Sequence, residues 1–416
     1  AVRITDPIPV AVTCTGVGEV VCPAEITTET GFNSAVPLPE RANVTVRAGN
    51  YGVVSGDNCD RIVLADIEVE GGSGTSVQFI NSRDVWVRGG SFHGAKADGL
   101  HFQRCCRRVK VEGAHVYDVG DDCIGFVSHD YNTYGYCRDL IVTGCTLEDT
   151  TAGAPGSGVA FIGAIGGLIA NNIVRRTALA GIRITPYFHA SEGDAVVGRC
   201  QVSNNIIDTC GVYSGGVGGV VKHGIFVTDA RDIHLSDNLV ISPVDAGIVF
   251  AGAAIDCSSF GDQVRNATTR GIWGQSASRT GNYLRLWTEP LLSDGRSESY
   301  ATFDGLRIRE ANVVRCGTDG IYLAGQSSRY ARDVEISNCK VRLPNVNGSG
   351  GIFGIYMTLA HRGRVVGNDV GTAAAGSVTS HSTPACTQLR KERNLPDSGD
   401  FTYVSGRRIY YGDTST

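Results

Sequence analysis

Three aspartates have the residue type and spacing needed for acid–base chemistry. Asp98 precedes a glycine, and the adjacent pair Asp121 and Asp122 follows one sequence repeat later. Carboxylates held close together raise one another's pKa, so at least one of them tends to keep its proton near neutral pH. A protonated carboxylic acid beside an ionised carboxylate can donate a proton and activate water at the same site. These three aspartates are therefore the candidate catalytic residues, provided that the fold brings them together.

A repeat through most of the chain supplies a way to bring them together. Each copy contains a short alternating run, a turn rich in Asn, Gly and Cys, and a Gly or Cys followed by an apolar-x-apolar triplet. A basic step of about 23 residues with inserted loops is the signature of a solenoid. Copies end at residues 98–102, 122–126, 157–161, 180–184, 223–225, 246–248, 319–321 and 353–355.

The short runs alternate apolar and polar residues, which is the period of a strand with one buried face. The sequence contains no long segment of period 3.6, so a helical repeat is excluded. Coils of about three short strands would stack into parallel sheets around a continuous apolar interior. The predicted fold is all-β, a right-handed parallel β-helix.

The repeat also divides the chain. Residues 1–60 are predicted to form an N-terminal β cap, because the open end of a solenoid would otherwise present unpaired strand edges. The β-helix is predicted over residues 61–375, with an insertion at 252–302 where the repeat is interrupted. This insertion is either a large loop or a loop plus an irregular coil. Residues 376–416 are predicted to be a C-terminal tail or capping segment.

Stacking brings equivalent positions of neighbouring coils to within one strand spacing, roughly 4.8 Å. Asp98 and Asp122 occupy the same position in successive copies, and Asp121 is the neighbour of Asp122 in the chain. The sequence therefore predicts a cluster of three carboxylates on adjacent coils. A protonated acid beside an ionised carboxylate is what glycoside hydrolysis requires.

A second column lies one residue after the apolar anchor and contains His101, Gly125, Ala160 and Arg183. We expect these positions to face solvent on the same side of the solenoid as the aspartates. His101 and Arg183 would then flank the carboxylates, and the small residues between them would leave a groove. The Arg183 guanidinium could bind an anionic or hydroxyl-rich sugar.

Four ordered segments resemble the motifs of polygalacturonase-like glycoside hydrolases, which belong to the pectin-lyase-like β-helix superfamily. That family carries Asn-Thr-Asp, Asp-Asp, Gly-His-Gly and Arg-Ile-Lys in this order. The corresponding segments here, within residues 80–190, are Asp98-Gly99, Gly120-Asp121-Asp122-Cys123-Ile124, Gly156-Ser157-Gly158 and Gly181-Ile182-Arg183-Ile184. The resemblance implies inverting hydrolysis, with Asp121 as the general acid and Asp98 and Asp122 activating water.

The sequence departs from this pattern at four positions. Ser157 replaces the family's histidine, and Thr185 replaces a lysine that helps to hold a substrate carboxylate. Lys96 and Ala97 replace the Asn and Thr before the first aspartate. The resemblance thus implies the same scaffold and chemistry on a polysaccharide other than galacturonan. Phage tailspike depolymerases, many of them trimeric β-helices of this superfamily, diverge in the same way.

Aromatic and histidine residues follow the acidic coil and Arg183. His129 and Tyr131 lie in a loop directly after the acidic coil, and Tyr187 follows Arg183 in a similar position. Such rings can stack on sugar faces, or they can pack onto the solenoid. The candidate substrate-binding residues are therefore His101, Arg183, Ser157, His129, Tyr131 and Tyr187.

Composition excludes several classes of partner. The 37 basic residues form no block or stripe, which argues against nucleic acid. The most uncharged stretch, residues 152–174, contains six glycines, a proline and two asparagines, which argues against a membrane span. There is no C-x-x-C motif or histidine cluster of zinc spacing, and no metal or other cofactor is predicted. The 14 cysteines are interpreted either as partly disulfide-bonded or as small buried hydrophobes.

The sequence-based hypothesis is an endo-acting glycoside hydrolase with a polysaccharide substrate. It would be extracellular, either secreted or part of a phage particle, and a homotrimer is one assembly that the resemblance implies. A polysaccharide lyase or epimerase acting on a uronic-acid polymer is the second hypothesis, and a non-catalytic carbohydrate-binding solenoid is the third.

Overall fold

The structure is a computed structural model in which regular structure is exclusively β over the described residues. Two compact units are found, Ala1–Lys222 and His223–Thr416. None of the described segments forms a helix with the length and hydropathy of a bilayer span. The described residues are 2–5, 19–21, 43–46, 52–71, 74–129, 134–150, 156–189, 193–195, 197–213, 221–275, 303–325, 331–342, 353–358, 360–361, 363–371, 379–382 and 390–392.

Each coil of the first unit contributes one short strand to each of three sheets. Sheet 1 contains β3 (Asn43–Val46), β4 (Gly52–Asp57), β7 (Thr75–Ile80), β10 (Leu100–Gln103), β13 (Ile124–Val127), β16 (Val159–Ile162) and β19 (Ile182–Thr185). Sheet 2 contains β2 (Glu19–Val21), β5 (Asp60–Ala65), β8 (Arg83–Arg88), β11 (Arg107–Glu112), β14 (Arg138–Thr143), β17 (Ile165–Ala170) and β22 (Val197–Ser203). Sheet 3 contains β1 (Val2–Thr5), β6 (Ile67–Glu70), β9 (Ser91–His93), β12 (His115–Val119), β15 (Thr146–Thr150), β18 (Ile173–Arg175) and β23 (Ile206–Asp208).

Within these sheets the strands pair in parallel, except that β3 and β2 pair antiparallel with β4 and β5. A separate antiparallel hairpin joins β20 (Tyr187–His189) to β21 (Gly193–Ala195). Parallel pairing of strands one coil apart is the architecture of a β-helix, so the predicted fold class is confirmed.

The second unit repeats this arrangement in three sheets. Sheet 4 contains β24 (Ile225–Thr228), β27 (Ile248–Ala251), β31 (Ile272–Gln275), β35 (Ile321–Ala324), β39 (Phe353–Thr358) and β43 (Thr379–Ser382). Sheet 5 contains β25 (Ala230–Ser236), β28 (Ala254–Ile255), β29 (Ser258–Phe260), β32 (Phe303–Asp304), β33 (Arg307–Arg309), β36 (Ala331–Arg332), β37 (Glu335–Ser337), β40 (Ala360–His361), β41 (Arg364–Val366) and β44 (Arg390–Glu392). Sheet 6 contains β26 (Leu239–Ile241), β30 (Gln263–Arg265), β34 (Asn312–Val314), β38 (Lys340–Arg342) and β42 (Asp369–Val370).

A column of phenylalanines fixes which face of sheet 1 is buried. Phe79, Phe102, Phe126 and Phe161 are fully buried and lie in register on successive strands. Their ring centroids are 6.0, 4.8 and 5.1 Å apart along the column. Because strand residues alternate between faces, the residue before each phenylalanine must lie on the opposite face. The core therefore decides which side chains of sheet 1 are available for chemistry.

Two predicted domain boundaries need correction. β4 and β5 already pair in parallel with β7 and β8, so the β-helix begins at residue 52 and not at 61. At the other end, β43 and β44 pair in parallel with β39 and β41, so stacked strands continue into the predicted tail. At the C-terminal end, the strands are short and lack apolar residues, which hides these coils in the sequence although the backbone pairing is the same.

Of the two forms expected for the insertion at 252–302, the structure agrees with a loop plus a coil, and the coil is its first part. Residues 254–275 form strands that pair with β25, β26 and β27 of the same unit. Ser259, Val264 and Ile272 are fully buried and supply the inward positions of this coil. A serine at one inward position weakens the apolar alternation, which is why the coil resembles a loop in sequence. Residues 276–302 lie outside the described residues.

The cysteines favour the second interpretation offered above. The eleven described cysteines are free and buried, including Cys137, Cys145, Cys200 and Cys210. Several of their thiols contact backbone carbonyl groups; Cys200, for example, lies 3.3 Å from the Gly198 oxygen. They act as small buried residues within the coils.

Candidate active site

Close backbone approach fixes the turn that carries two of the aspartates. Asp121 and Asp122 lie between β12 and β13. A Cβ atom at Gly120 would lie 1.9 Å from the backbone oxygen of Lys96, and one at Gly156 would lie 1.9 Å from the backbone carbon of Asp121. Only glycine fits at both positions. The backbones of three successive coils are thereby packed directly against each other at the site.

Winding of the chain brings the three predicted catalytic aspartates together. Carboxylate oxygens of Asp98, Asp121 and Asp122 all lie within 4.8 Å of one another. Asp98 precedes β10 and Asp122 precedes β13, so they occupy the same position on neighbouring coils. Asp98 is 6% exposed and Asp122 is 5% exposed, whereas Asp121 is only half-buried. The most accessible carboxyl group of the cluster is that of Asp121.

Backbone hydrogen bonds from the next coil hold two of these carboxylates. The Asp122 amide donates to Oδ1 of Asp98 over 3.1 Å, and the Ser157 amide donates to Oδ1 of Asp122 over 2.6 Å. One oxygen of each carboxylate is therefore used to hold the stack. The second Asp98 oxygen contacts Nδ1 of His101.

Burial and mutual repulsion raise the pKa of both adjacent aspartates. For Asp121, burial followed by the charges of Asp122 and Asp98 raises the pKa to about 9. For Asp122, burial followed by the charge of Asp98 raises the pKa to about 6. The positive charge of Arg183 opposes both shifts. At neutral pH, the site therefore contains a protonated Asp121 beside an ionised Asp122, one proton donor and one acceptor.

His101 lies against this cluster on β10. Burial lowers the pKa of His101. The charge and hydrogen bond of Asp98, together with the charge of Asp122, raise it by a larger amount, so the net shift is upward. Gly125 makes room for the contact: a Cβ atom there would lie 2.9 Å from Oδ2 of Asp98 and 3.5 Å from Nδ1 of His101. An Asp98–His101 pair thus fixes the orientation of the Asp98 carboxylate.

Arg183 reaches the cluster from two coils beyond Asp122. Register pairing aligns His101, Gly125, Ala160 and Arg183 on consecutive strands, as the second sequence column predicts. The Nε atom of Arg183 is buried, and no described residue is its hydrogen-bond partner. Its charge lowers the pKa of both adjacent aspartates. Gly125 and Ala160, which were expected to face solvent between His101 and Arg183, are buried, so the predicted groove is not open at these two positions.

Ser157 differs from its predicted role in sugar binding. The residue is fully buried, and its hydroxyl oxygen has no hydrogen-bond partner among the described residues. A hydroxyl group without exposed surface cannot contact a polysaccharide. Ser157 acts instead through its backbone amide, which positions Asp122.

Two of the three predicted loop residues lie beside His101. Nδ1 of His129 is 2.7 Å from the hydroxyl of Tyr187, and the two ring centroids are 4.6 Å apart. The His129 ring is 6.4 Å from that of His101. These residues therefore form one edge of the site. Tyr131 lies outside the described residues.

Gln103 is a site residue that the sequence interpretation missed. Its side chain hydrogen-bonds His101 and contributes to the rise in the histidine's pKa. The signal was the alternation of β10, since residues 101 and 103 must lie on the same face.

The three carboxylates also suit a hard divalent cation. Carboxylate oxygens are the ligands that Ca²⁺ and Mg²⁺ prefer, and the three aspartates can converge on one ion. In such a site the cation would neutralise the cluster that otherwise keeps Asp121 protonated. Proton donation and cation binding are therefore alternative uses of the same groups.

Solved structures share this fold at low sequence identity. The catalytic unit of a GH87 α-1,3-glucanase from Streptomyces thermodiastaticus aligns with a TM-score of 0.51 and 13% identity, covering 82% of this chain and 61% of that one. A variant of the periplasmic alginate epimerase AlgG aligns with a TM-score of 0.50 and 10% identity, covering 82% and 78%. The Dettilon tailspike protein aligns with a TM-score of 0.49 and 16% identity, covering 83% and 60%. This chain thus spans about three fifths of the tailspike and glucanase chains.

The sequence was also compared with curated proteins and with protein families. No curated protein matches it. The family described as the right handed beta helix region matches residues 40–185 and 135–266, which together cover more than half of the 416 residues. Parallel strand pairing through this region agrees with that match. The chain belongs to the right-handed β-helix family.

Proposed function

We propose that the first unit is a glycoside hydrolase that cuts within a polysaccharide chain. The observation that carries this proposal is the cluster of Asp98, Asp121 and Asp122, in which burial and repulsion keep Asp121 protonated beside an ionised Asp122. Hydrolysis of a glycosidic bond needs this combination of an acid and a carboxylate.

In the proposed reaction, Asp121 donates its proton to the glycosidic oxygen as the bond from that oxygen to the anomeric carbon breaks. Asp122, with Asp98, accepts a proton from water while the water oxygen forms a bond to the anomeric carbon. Exchange with solvent then returns the proton to Asp121. Arg183 binds a substrate hydroxyl or carboxylate, and His101 keeps the Asp98 carboxylate in place.

The spacing of the carboxylates bears on the stereochemical course. The cluster lies within 4.8 Å, which is shorter than the roughly 6.5–9.5 Å usual for inverting glycosidases and nearer to the roughly 5 Å of retaining ones. Inversion is therefore supported by the motif resemblance and not by this distance. NMR detection of the first anomer formed decides between inversion and retention at the anomeric carbon.

Release of reducing ends from a panel of bacterial capsules, O-antigens and pectins tests the activity itself. Wild-type protein should release oligosaccharides, and Asp121→Asn should lower the rate about 10²–10⁴-fold, because it removes the general acid. A panel that yields no product with the wild-type protein, or an Asp121→Asn variant of full activity, would contradict the proposal.

A lyase or epimerase is the second candidate, favoured by the Asp98–His101 pair and by Arg183 in the same register column of sheet 1. A base would remove the proton at C5 of a uronic acid, and the arginine or a divalent cation would stabilise the resulting charge. Ultraviolet absorbance from a new carbon–carbon double bond identifies a lyase, and loss of activity on chelation identifies a cation.

A carbohydrate-binding solenoid without catalysis would retain ligand and form no product.

The assembly and location follow as proposals from the same hypothesis. We propose an extracellular protein, secreted or carried on a phage particle, and a homotrimer of the tailspike type. Light scattering should then give three times the 43.9 kDa mass of one chain.

A further inference from the structure

The outward face of sheet 4, in the second unit, carries an aromatic strip. We define the strip as Trp273, Tyr322 and Tyr356 with Arg270. The three rings occupy equivalent register positions on β31, β35 and β39, and all three side chains are half-buried. The same outward position carries His101 and Arg183 in the first unit. The strip therefore lies on the face of its sheet that points away from the apolar core.

The members of the strip form one continuous stack. The Arg270 guanidinium lies 4.6 Å from the Trp273 ring centroid and 4.3 Å from that of Tyr322. The Tyr322 and Tyr356 rings follow at 4.8 Å, with an interplanar angle of 12°. Since neighbouring members cover one another's faces, the strip presents ring edges to solvent, together with the polar ends of Arg270, Tyr322 and Tyr356. The indole N–H of Trp273 is buried.

The polar ends of the strip are available to a ligand. Nε of Arg270 donates to Asp319 over 3.2 Å, but within the described residues its terminal N–H groups have no protein acceptor. The hydroxyl groups of Tyr322 and Tyr356 likewise have no protein partner there. The result is a row of hydrogen-bonding groups, one per coil, separated by apolar ring edges.

Charge and shape select among ligand classes. Asp319 is 2% exposed and neutralises Arg270, so the strip has no excess positive charge for a polyanion. An apolar protein surface would need exposed ring faces, and here stacking covers them. The hydroxyl groups of Tyr322 and Tyr356 and the terminal N–H groups of Arg270 lie one coil apart and can hydrogen-bond the hydroxyl groups of successive sugars. We propose that the aromatic strip is a binding site for a neutral, hydroxyl-rich oligosaccharide.

This site would bind without cleaving. The carboxyl group bound to the strip belongs to Asp319, which is paired with the Arg270 cation. The carboxyl group of Asp245 is paired with His223, whose ring contacts Trp273. The strip therefore extends the proposed function: it would retain glycan independently of the acid cluster, and its test uses Asp121→Asn protein so that turnover plays no part.

Binding of maltohexaose, cellohexaose, laminarihexaose and oligogalacturonate should be measured by titration calorimetry. At least one neutral probe should bind more tightly than oligogalacturonate. The double change Tyr322→Phe and Tyr356→Phe keeps the stacked rings and removes only the hydroxyls, so it should weaken that binding about tenfold. Tyr117→Phe, which removes a hydroxyl from sheet 3, is the matched control and should change nothing.

A direct readout locates the ligand. With 5-fluorotryptophan in place of the three tryptophans, the neutral probe should shift the Trp273 fluorine signal with the affinity seen by calorimetry. Failure of all neutral probes to bind, equal binding by the double variant, a preference for oligogalacturonate or an unmoved Trp273 signal would each overturn the proposal. If the strip serves only to stabilise the stack, the unfolding midpoint will fall in Tyr322→Ala while affinity stays unchanged.

Discussion

An aspartate at the same coil position has opposite surroundings in the two units. Oδ1 of Asp98 accepts the amide of Asp122 on the next coil, and Oδ1 of Asp319 accepts the amide of Phe353, both over 3.1 Å. The residue that stacks beside Asp98 is another aspartate, whereas the one beside Asp319 is Arg270. The backbone role is shared, and the sign of the neighbouring charge differs. An aspartate at this position thus holds the backbone amide of the next coil in both units. It can act as a proton acceptor in the first unit because its neighbour is another carboxylate.

The largest expected effect separates the two positions by activity. Asp122→Asn removes the ionised carboxylate of the first unit and should lower kcat/KM about 10²–10⁴-fold. Asp319→Asn makes the same chemical change at the equivalent position of the second unit and should leave kcat/KM unchanged. Reducing-end assays of both variants check this. Equal losses in the two would mean that the carboxylates serve only to hold the coils.

The pH profile should show the repulsion that only the first unit has. Activity needs Asp122 ionised and Asp121 protonated, so kcat/KM should rise as the pH passes about 6 and fall as it passes about 9. In Asp121→Asn protein, the residual rate should lose the alkaline limb, because its proton donor is gone. An unchanged alkaline limb in that variant would assign the acid to another group.

Removing a charged group should raise the free energy of unfolding in the first unit and lower it in the second. The pKa of Asp122 is raised by folding, so its contribution to stability is complete below its unfolded pKa of about 4 and is lost as the pH rises through about 6. At pH 7, the ionised Asp122 carboxylate is buried beside Asp98 and destabilises the folded state. Asp122→Asn removes this charge and should raise the free energy of unfolding by about 1–3 kcal/mol. Denaturant titrations of this variant and the wild-type protein measure the change.

Arg270→Gln should do the reverse in the second unit. It leaves Asp319 buried without its cation, and the free energy of unfolding should fall by about 1–2 kcal/mol, less than for a fully buried pair because the Arg270 side chain is 26% exposed. The same titrations apply. A stabilising Arg270→Gln would show that burial of the pair costs more than its attraction returns.

The comparison also shows what could be predicted. The first-unit pair was visible because Asp98-Gly99 and Asp122-Cys123 stand one repeat apart with strong apolar alternation. The second-unit pair was missed because Arg270-Gly271-Ile272 fell within the predicted insertion, so Asp319 had no visible neighbour. The pattern was present there too, but a coil with serine at an inward position and a long segment before the next coil obscured it.

Contacts within the site were less accessible to sequence interpretation. Stacking predicts which residues are neighbours, but it does not say which carboxylate oxygen receives an amide or that the Ser157 hydroxyl is buried. The glycines at 120 and 156 resembled ordinary turn residues. Their backbone approaches of 1.9 Å to a hypothetical Cβ atom appear only when three coils are superposed.

The order of residues alone determined the β-helix and the column in which Asp98 and Asp122 meet, because a repeat with alternating apolar positions permits only one inward face. Tertiary structure decided which carboxyl group holds the proton. That choice depends on burial and on charges contributed by residues as distant in the chain as Arg183, and distance through space, not along the sequence, sets both quantities.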